Sequence, residues 1–327
     1  MTDNRKNNMR NAVLGVVSGD ALGCPVQFES REEVARHPVV NMRGYGTFNL
    51  PAGSWTDDSS LTLALLASLK EKNSVDLNDI AERFCDWLYN GAYTPFGYSY
   101  DIGRGTMNAV ERYRRSGNPE TCGGTSDRDN GNGSLMRILP LVYVFHGNGS
   151  LMRIIPVCVF CAERGDDNDT MVNTVEAVSA LTHNTPRTRT ACGLYAFVVR
   201  SLLNETGTLE ERLQSGLDQG FAYYQEKGNE ALSYYRRLQD LSRFARTDVS
   251  EIRSSGYVVD AMEAAVWCLI TEDSLEKSLL KAANLGDDTD TVAAIAGGLA
   301  GLYYTAAAVP EQWYGSLQNR ELVESFF

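Results

Sequence analysis

Two short acidic segments carry residue types that could bind a divalent cation. The first reads Thr56-Asp57-Asp58-Ser59, and the second reads Asp287-Asp288-Thr289-Asp290-Thr291. Each directly precedes an apolar stripe with helical spacing, so each could simply cap a helix by accepting hydrogen bonds from free N–H groups. Capping needs one such side chain, however, and crowded carboxylates repel one another unless protons or a cation neutralise them. Because oxygen ligands favour Mg²⁺, Ca²⁺ or Mn²⁺ over zinc, the two segments together could form one metal site.

The sequence also contains a near-perfect internal duplication. Gly131–Ile138 and Gly147–Ile154 both read GNGSLMRI, 16 residues apart, and each is followed by one residue and then a proline. Glycines let a backbone approach a ligand closely, and the N-terminus of a following helix offers free N–H groups to a phosphate. There are only two copies, over about 131–162, so this tandem duplication is not a solenoid. We expect only one copy to lie in a pocket built for one.

Other candidate residues have ordinary structural explanations. Glu29 alone would be a solvated carboxylate, Asp20 a contact at a helix end, and His183 a cap at a helix C-terminus. Cys158 and Cys161 form a single C-x-x-C within an apolar run, without a second pair. That pattern favours buried thiols over a zinc or redox site.

The elements that must position these residues are helices. Apolar residues recur at helical spacing in Leu61–Leu69, Val258–Leu269 and Val292–Tyr303. Alternating strand patterns are nearly absent, so the sequence predicts an all-α fold in a single domain, 1–327. Further helices are expected near 9–22, 76–90, 104–115, 170–183, 187–203, 208–220, 229–242 and 272–284, with long irregular stretches at 37–55 and 116–130.

Glycines interrupt the last apolar stripe. Gly297, Gly298 and Gly301 lie among alanines, and each costs about 1 kcal/mol of helix propensity. Close packing against a neighbouring helix could offset that cost.

Composition excludes several classes of function. The 327 residues include 42 acidic and 30 basic side chains, for a net charge of −12. Such a charge repels phosphate backbones and anionic lipid, so we expect no nucleic-acid or membrane partner. No apolar run reaches the roughly 18 residues of a membrane span, and the polar N-terminus does not resemble a secretory signal. Seven scattered cysteines favour a reducing, cytoplasmic setting.

The motifs, taken in order, resemble those of the ADP-ribosylglycohydrolase family, the group of dinitrogenase-reductase-activating glycohydrolases and ADP-ribosylhydrolases. Any one motif is weak, but the ordered set spans almost the whole chain. The matching pieces are Gly19–Gly23 followed by Glu29, then Ser54–Ser59, Asn132–Arg137, Leu181–His183 and Leu285–Thr291.

The resemblance implies a compact orthogonal multi-helix bundle with two Mg²⁺ ions, for which Mn²⁺ could substitute. Asp287 stands where many members carry a glycine, which leaves open whether it binds metal or caps the helix. The ligands implied are Thr56, Asp57 and Asp58 from one side, and Asp288, Asp290 and Thr291 from the other.

The same resemblance assigns roles around the scissile bond. Glu29 matches a glutamate that positions or deprotonates water, and Asp58 and Asp288 are the other catalytic candidates. His183 would donate to a phosphate. The GNGS loop would contact the diphosphate and ribose of ADP-ribose, and we favour its first copy because the loop before it is family-like. The spacing from Arg153 to His183 also suits the second copy. The first copy supplies Asn132, Gly133 and Ser134.

The function implied is that of a Mg²⁺-dependent hydrolase that releases ADP-ribose from a modified protein side chain, with arginine as the expected acceptor. Other conjugates, such as ADP-ribosylserine or O-acetyl-ADP-ribose, are alternatives. A non-catalytic protein that binds ADP-ribose is a third. The expected partner is an ADP-ribosylated protein or a small ADP-ribose conjugate, bound by a monomer.

Overall fold

Helices form the whole regular structure of the part of the chain that is described. The structure is a computed structural model that describes residues 3–126 and 147–327, with side chains from residue 6 onward. The helices are α1 (Asp3–Gly23), α2 (Arg31–Arg36), α3 (Asp57–Lys72), α4 (Leu77–Asn90), α5 (Arg104–Ser116), α6 (Ile155–Arg164), α7 (Asn168–Ala180), α8 (Pro186–Asn204), α9 (Leu209–Glu226), α10 (Leu241–Phe244), α11 (Val258–Ile270), α12 (Leu275–Ala283), α13 (Thr289–Tyr304), α14 (Glu311–Ser316) and α15 (Arg320–Glu324).

The predicted all-α fold is confirmed. Within residues 3–126 and 147–327 no strand occurs, and one isolated bridge pairs Gly124 with His183. None of the described helices is long and apolar enough to cross a membrane.

The first copy of the repeat, with Asn132, Gly133 and Ser134, lies outside the described residues, as does the end of the predicted loop 116–130.

The predicted helices are found close to their expected positions, with one difference in type. The segment predicted as a helix over 229–242 is a 3₁₀ helix, Glu230–Gln239, followed by the short α10. Asp240 separates them because its backbone is extended and its carboxylate accepts the N–H of Arg243. The sequence pattern does not predict the short helices α2, α14 and α15, since five or six residues are too few for a clear apolar period.

Backbone contact between α1 and α13 lies at the centre of the fold. A Cβ atom on Gly15 would lie 2.0 Å from the carbonyl oxygen of Gly297, and one on Gly19 would lie 2.1 Å from that of Ala293. Gly301 similarly faces the carbonyl oxygen of Asn11. Close packing therefore accounts for the glycines of the last apolar stripe, as expected. Because the helices touch along this line, the C-terminal end of α1 lies against the first turn of α13.

The irregular stretch 37–55 is anchored to other parts of the fold. The Thr47 hydroxyl donates to the carbonyl oxygen of Gln27 at 2.6 Å, and the fully buried Trp55 donates its indole N–H to that of Gln318 at 2.8 Å. These bonds fix the approach of the chain to Thr56 and therefore the start of α3.

Replacement of Gly297 by alanine is expected to lower the free energy of unfolding by about 2–3 kcal/mol, because the added methyl overpacks two backbones. The new Cβ would lie 2.1 Å from the carbonyl oxygen of Gly15, which is not the end of a flexible side chain. Urea unfolding followed by circular dichroism measures the change. Gly315→Ala in α14 is the control, since a Cβ there meets no atom within 4 Å. Equal losses in both variants would contradict the role assigned to this contact.

Candidate metal centre and active site

Asp20, near the end of α1, is the carboxylate around which the first acidic segment is arranged. Its side chain is fully buried and accepts four donors. They are the backbone N–H groups of Thr56 at 2.9 Å and Ser59 at 3.0 Å, and their hydroxyls at 3.0 and 2.5 Å. Asp20 therefore caps the start of α3, a helix other than its own, which the sequence did not indicate. Burial raises the pKa of this carboxyl to about 7, although the four hydrogen bonds oppose the shift.

The two acidic segments, more than two hundred residues apart in the sequence, meet at this point. Asp20, Asp58 and Asp290 each bring a carboxylate oxygen within 4.8 Å of the others, and all three are buried. Oδ2 of Asp58 lies 3.1 Å from the hydroxyl oxygen of Thr56, whose one proton is shared with Asp20, and accepts the hydroxyl of Thr291 at 3.4 Å. The start of α3 and the start of α13 thus form one cluster of oxygen atoms.

Several oxygens in this cluster are buried without a hydrogen-bond donor. Both carboxylate oxygens of Asp290 and Oδ1 of Asp58 have no hydrogen-bond partner among the described residues. Burial, and then the charges of neighbouring aspartates, raise the pKa of Asp57, Asp58 and Asp290 well above the ordinary value of 3.8. An uncompensated buried carboxylate is costly, so a bound divalent cation is the natural partner for these oxygens. A donor set of carboxylate and hydroxyl oxygens suits Mg²⁺ or Mn²⁺.

A small cleft opens beside the cluster. Asp57 and Asp288 contribute to its wall, as do residues that sequence reasoning did not select. Of these, Asp101 has a detectable signal, because the segment Asp101-Ile-Gly directly precedes α5 as the other acids precede α3 and α13. Gln27 and Thr106 carry no comparable pattern. The cleft is lined by Gln27, Asp57, Asp101, Thr106, Asn148 and Asp288, among others.

A larger surface cleft between α7 and α9 is a weaker candidate, because its charged groups are already paired. Arg189 contacts Glu176 at 2.5 Å, and Lys227 contacts Asp169 at 2.8 Å.

The second GNGS copy forms part of the wall of the acidic cleft. The side-chain amide of Asn148 donates to Oδ2 of Asp288 at 2.6 Å. His183 is buried behind this copy, and its ring Nδ1 is 2.8 Å from the hydroxyl of Thr182. A Cβ on Gly149 would lie 2.8 Å from Cε1 of His183, so the glycine allows the loop and the imidazole to touch.

Glu29 and Asp287 lie at the edge of the cluster. The Glu29 carboxylate is about one-third exposed and lies 4.0 Å from the Arg43 guanidinium. Its carbonyl oxygen accepts the N–H of Asp287 at 2.8 Å, and the Asp287 carbonyl accepts that of Phe28 at 2.7 Å. Asp287 has an exposed side chain and a φ of +59°. That backbone conformation explains why a glycine suits this position, and it assigns Asp287 to the turn that precedes Asp288.

The C-x-x-C lies away from this cleft, in α6. Cys158 and Cys161 are both buried and free. Burial raises the pKa of Cys158 well above its ordinary range and that of Cys161 to about 12. Both thiols therefore stay protonated and contribute to packing, as expected.

Comparison with known proteins points to one family. A family model described as ADP-ribosylglycohydrolase matches residues 1–147 and 145–327. The ADP-ribosylarginine hydrolase Tri1 of Serratia proteamaculans is 30% identical over 97% of this chain and 76% of its own length. The ADP-ribosyl-[dinitrogen reductase] glycohydrolase of Rhodospirillum rubrum is 29% identical over 94% and 90%. A solved structure, an ADP-ribosylglycohydrolase-related protein complex, has a TM-score of 0.74 and 28% identity, covering 98% of this chain and 96% of its own.

Asp290→Asn is expected to stabilise the metal-free protein while removing its response to Mg²⁺. Burial raises the pKa of Asp290 in the folded state, so the folded state binds its proton more tightly than the unfolded state does. Stability of the metal-free protein therefore falls as pH rises from about 4 towards neutrality. The variant removes that charge and should raise Tm in EDTA by roughly 5 °C at neutral pH.

Thermal unfolding in EDTA and in Mg²⁺, at several pH values, measures both effects. Asp287→Asn is the matched control in the same segment and should keep the Mg²⁺-induced rise in Tm. A lower Tm for Asp290→Asn in EDTA would contradict the unfavourable charge assigned to Asp290.

The positive φ of Asp287 predicts opposite effects of two small substitutions. Asp287→Ala should cost about 1 kcal/mol, because alanine is strained in the left-handed region, whereas Asp287→Gly should be neutral or stabilising. Chemical denaturation of both variants measures the difference. A loss of the Mg²⁺ response in Asp287→Gly would show instead that the carboxylate binds metal.

Proposed function

This chain belongs to the ADP-ribosylglycohydrolase family and is an enzyme that hydrolyses ADP-ribose conjugates, and from that premise we propose that it cleaves ADP-ribose from arginine side chains of proteins in a Mg²⁺-dependent reaction. The observation that carries the metal dependence is the buried group of carboxylates with open oxygens at Asp58 and Asp290. Support for arginine comes from the Tri1 relatives of Serratia proteamaculans and Pseudomonas putida, both named ADP-ribosylarginine hydrolases.

Two Mg²⁺ ions are proposed to bind between the starts of α3 and α13. When bound, they would supply positive charge that polarises the hydroxyls of the distal ribose and a water molecule. Asp20 is not among the proposed ligands, because its oxygens already accept four donors; it fixes Thr56 and Ser59 instead. The proposed ligands are Thr56, Asp57, Asp58, Asp288, Asp290 and Thr291.

We propose that residues of the chain itself position the attacking water, accept its proton and stabilise charge on the ribose. Glu29 is half-buried near the cluster, and its main chain is held beside the turn before Asp288. We assign it to orient or deprotonate the attacking water as a general base. Asp58 and Asp288 stabilise the positive charge that develops on the ribose ring in an oxocarbenium-like transition state.

The electrostatics of the cleft favour a cationic leaving group. Asp101, which is not a proposed metal ligand, lines the same cleft as Asp57, so a guanidinium departing from the ribose would have a carboxylate near it whose charge the metal ions do not neutralise. In the metal-free cleft the carboxylates of Asp57, Asp101 and Asp288 repel the anionic diphosphate, which is a further reason to expect that substrate binding depends on Mg²⁺. His183, buried against the second GNGS copy, is assigned to the diphosphate side.

The proposed setting is the cytoplasm, with the protein acting as a monomer on an ADP-ribosylated protein. All seven cysteines are described and free, which supports a reducing compartment.

The test is release of ADP-ribose from an ADP-ribosylarginine protein, with and without Mg²⁺. We expect turnover in Mg²⁺, loss of activity after chelation, and at least a roughly 100-fold loss in Asp58→Asn and Asp290→Asn, since such sites depend on their ligands. Asp287→Asn, exposed in the same segment, should retain activity. ADP-ribosylserine peptide and O-acetyl-ADP-ribose complete the substrate panel. Activity that survives exhaustive chelation, or turnover of a serine conjugate alone, would refute the proposal.

A further inference from the structure

The family match does not show which copy of the duplicated GNGSLMRI motif lies at the functional site. The two matched pieces, residues 1–147 and 145–327, each contain one copy. The contacts of the second copy, and the residues that follow each copy, distinguish between them. These observations indicate a single packing site, which is the set of residues that contact Gly147–Ile154.

All eight residues of the second copy are buried in this packing site. Ser150 accepts the hydroxyl of Ser179 at 3.0 Å. Arg153, which is fully buried, donates to the carbonyl of Gly149 and to the hydroxyl of Thr182 at 2.8 Å, and its guanidinium lies 5.0 Å above the Phe84 ring. The backbone N–H of Gly147 donates to Gly256 at 2.8 Å. Each of these partners can serve one copy at a time.

The residues after each copy decide which one fits. The second copy leads into α6, where Val159 and Cys161 are fully buried and Ala162 is nearly so. If the first copy occupied the packing site, the 16-residue offset would place Tyr143, Phe145 and His146 at those three positions. Two aromatic rings and an imidazole would then replace small side chains in a closely packed interior, and overpacking of that kind is destabilising.

We propose that the second copy is the functional one, that Asn148 is the residue of this motif that positions Asp288, and that residues 131–146 are dispensable for fold and activity. The role of Asn148 rests on the proposed function, since Asp288 is a proposed metal ligand. The 2.6 Å bond from the amide of Asn148 to Oδ2 of Asp288 orients that carboxylate. The proposal assigns no role in the site to Asn132, which has the same place in the first copy.

Two matched deletions test which copy occupies the packing site, without any assay of activity. One variant lacks residues 131–146 and the other lacks 147–162; each retains one GNGSLMRI, and both have the same length. The first deletion should leave Tm within about 3 °C of the full chain, and the second should lower it by more than about 10 °C or prevent folding. The reverse order, equal effects, or failure of the first variant to fold would each overturn the proposal.

A matched pair of substitutions tests the role of Asn148. Asn148→Ala should reduce kcat by about tenfold or more and raise the Mg²⁺ concentration needed for half-maximal activity. Tm in EDTA should fall by a few degrees, because the buried Asp288 carboxylate loses a donor, and the Mg²⁺-induced rise in Tm should shrink. Asn132→Ala should stay within about twofold of the full chain. Loss of activity in Asn132→Ala, or none in Asn148→Ala, would overturn the assignment.

The two experiments also separate this inference from the proposed function. If the full chain cleaves no ADP-ribose conjugate, the proposed function fails, yet the deletions and the Mg²⁺-induced change in Tm still show which copy is used.

Discussion

The functional site depends on the direct contact of two helix backbones, α1 and α13. Glycines at positions 15, 19 and 297 let the helices approach until a single methyl group would collide with a carbonyl oxygen. The contact brings the end of α1 to the beginning of α13, where the hydroxyl of Thr289 donates to the carbonyl of Gly23 at 2.9 Å. Asp20 and Asp290 become neighbours for this reason alone, since nothing in their local sequences attracts two carboxylates to each other.

The same geometry brings several buried carboxylates together, and hydrogen bonds compensate their negative charges to different extents. Asp20 receives four hydrogen bonds and becomes a cap for α3, whereas the carboxylate of Asp290 receives none from the described residues. Repulsion among such groups lowers the stability of the empty site and raises its affinity for a cation, because a bound ion removes the penalty. Rigid packing between α1 and α13 keeps the carboxylates together despite their charge. On the proposed function, stability lost at the cluster is therefore a condition for metal affinity, and not a defect of the fold.

Much of this arrangement could be predicted from the sequence, because its signals are local. Apolar stripes at helical spacing identify α3, α11 and α13, and the acids directly before two of them mark helix starts with more oxygen ligands than capping needs. The contact between α1 and α13 was only implied, by glycines that would otherwise weaken a helix. The cap supplied by Asp20 could not be found, since it joins residues whose separation of 36 or more in sequence carries no pattern. The positive φ at Asp287 was likewise not visible, although the glycine common at that position in the family is consistent with it.

The choice between the two GNGSLMRI copies cannot be predicted from the residues of the motif alone. Eight identical residues have identical propensities, hydrogen-bonding groups and affinity for a ligand, so no argument from the motif itself can separate them. The preference for the first copy rested on the loop before it, whereas the structure places the second copy beside Asp288. What distinguishes the two copies is the volume of the side chains that follow them, which for the second copy are those of α6. On the proposed assignment, a tandem duplication inside a motif leaves the chemistry ambiguous but not the fold, because the interior around α6 holds small residues at positions 159 and 161, where aromatic rings would overpack it.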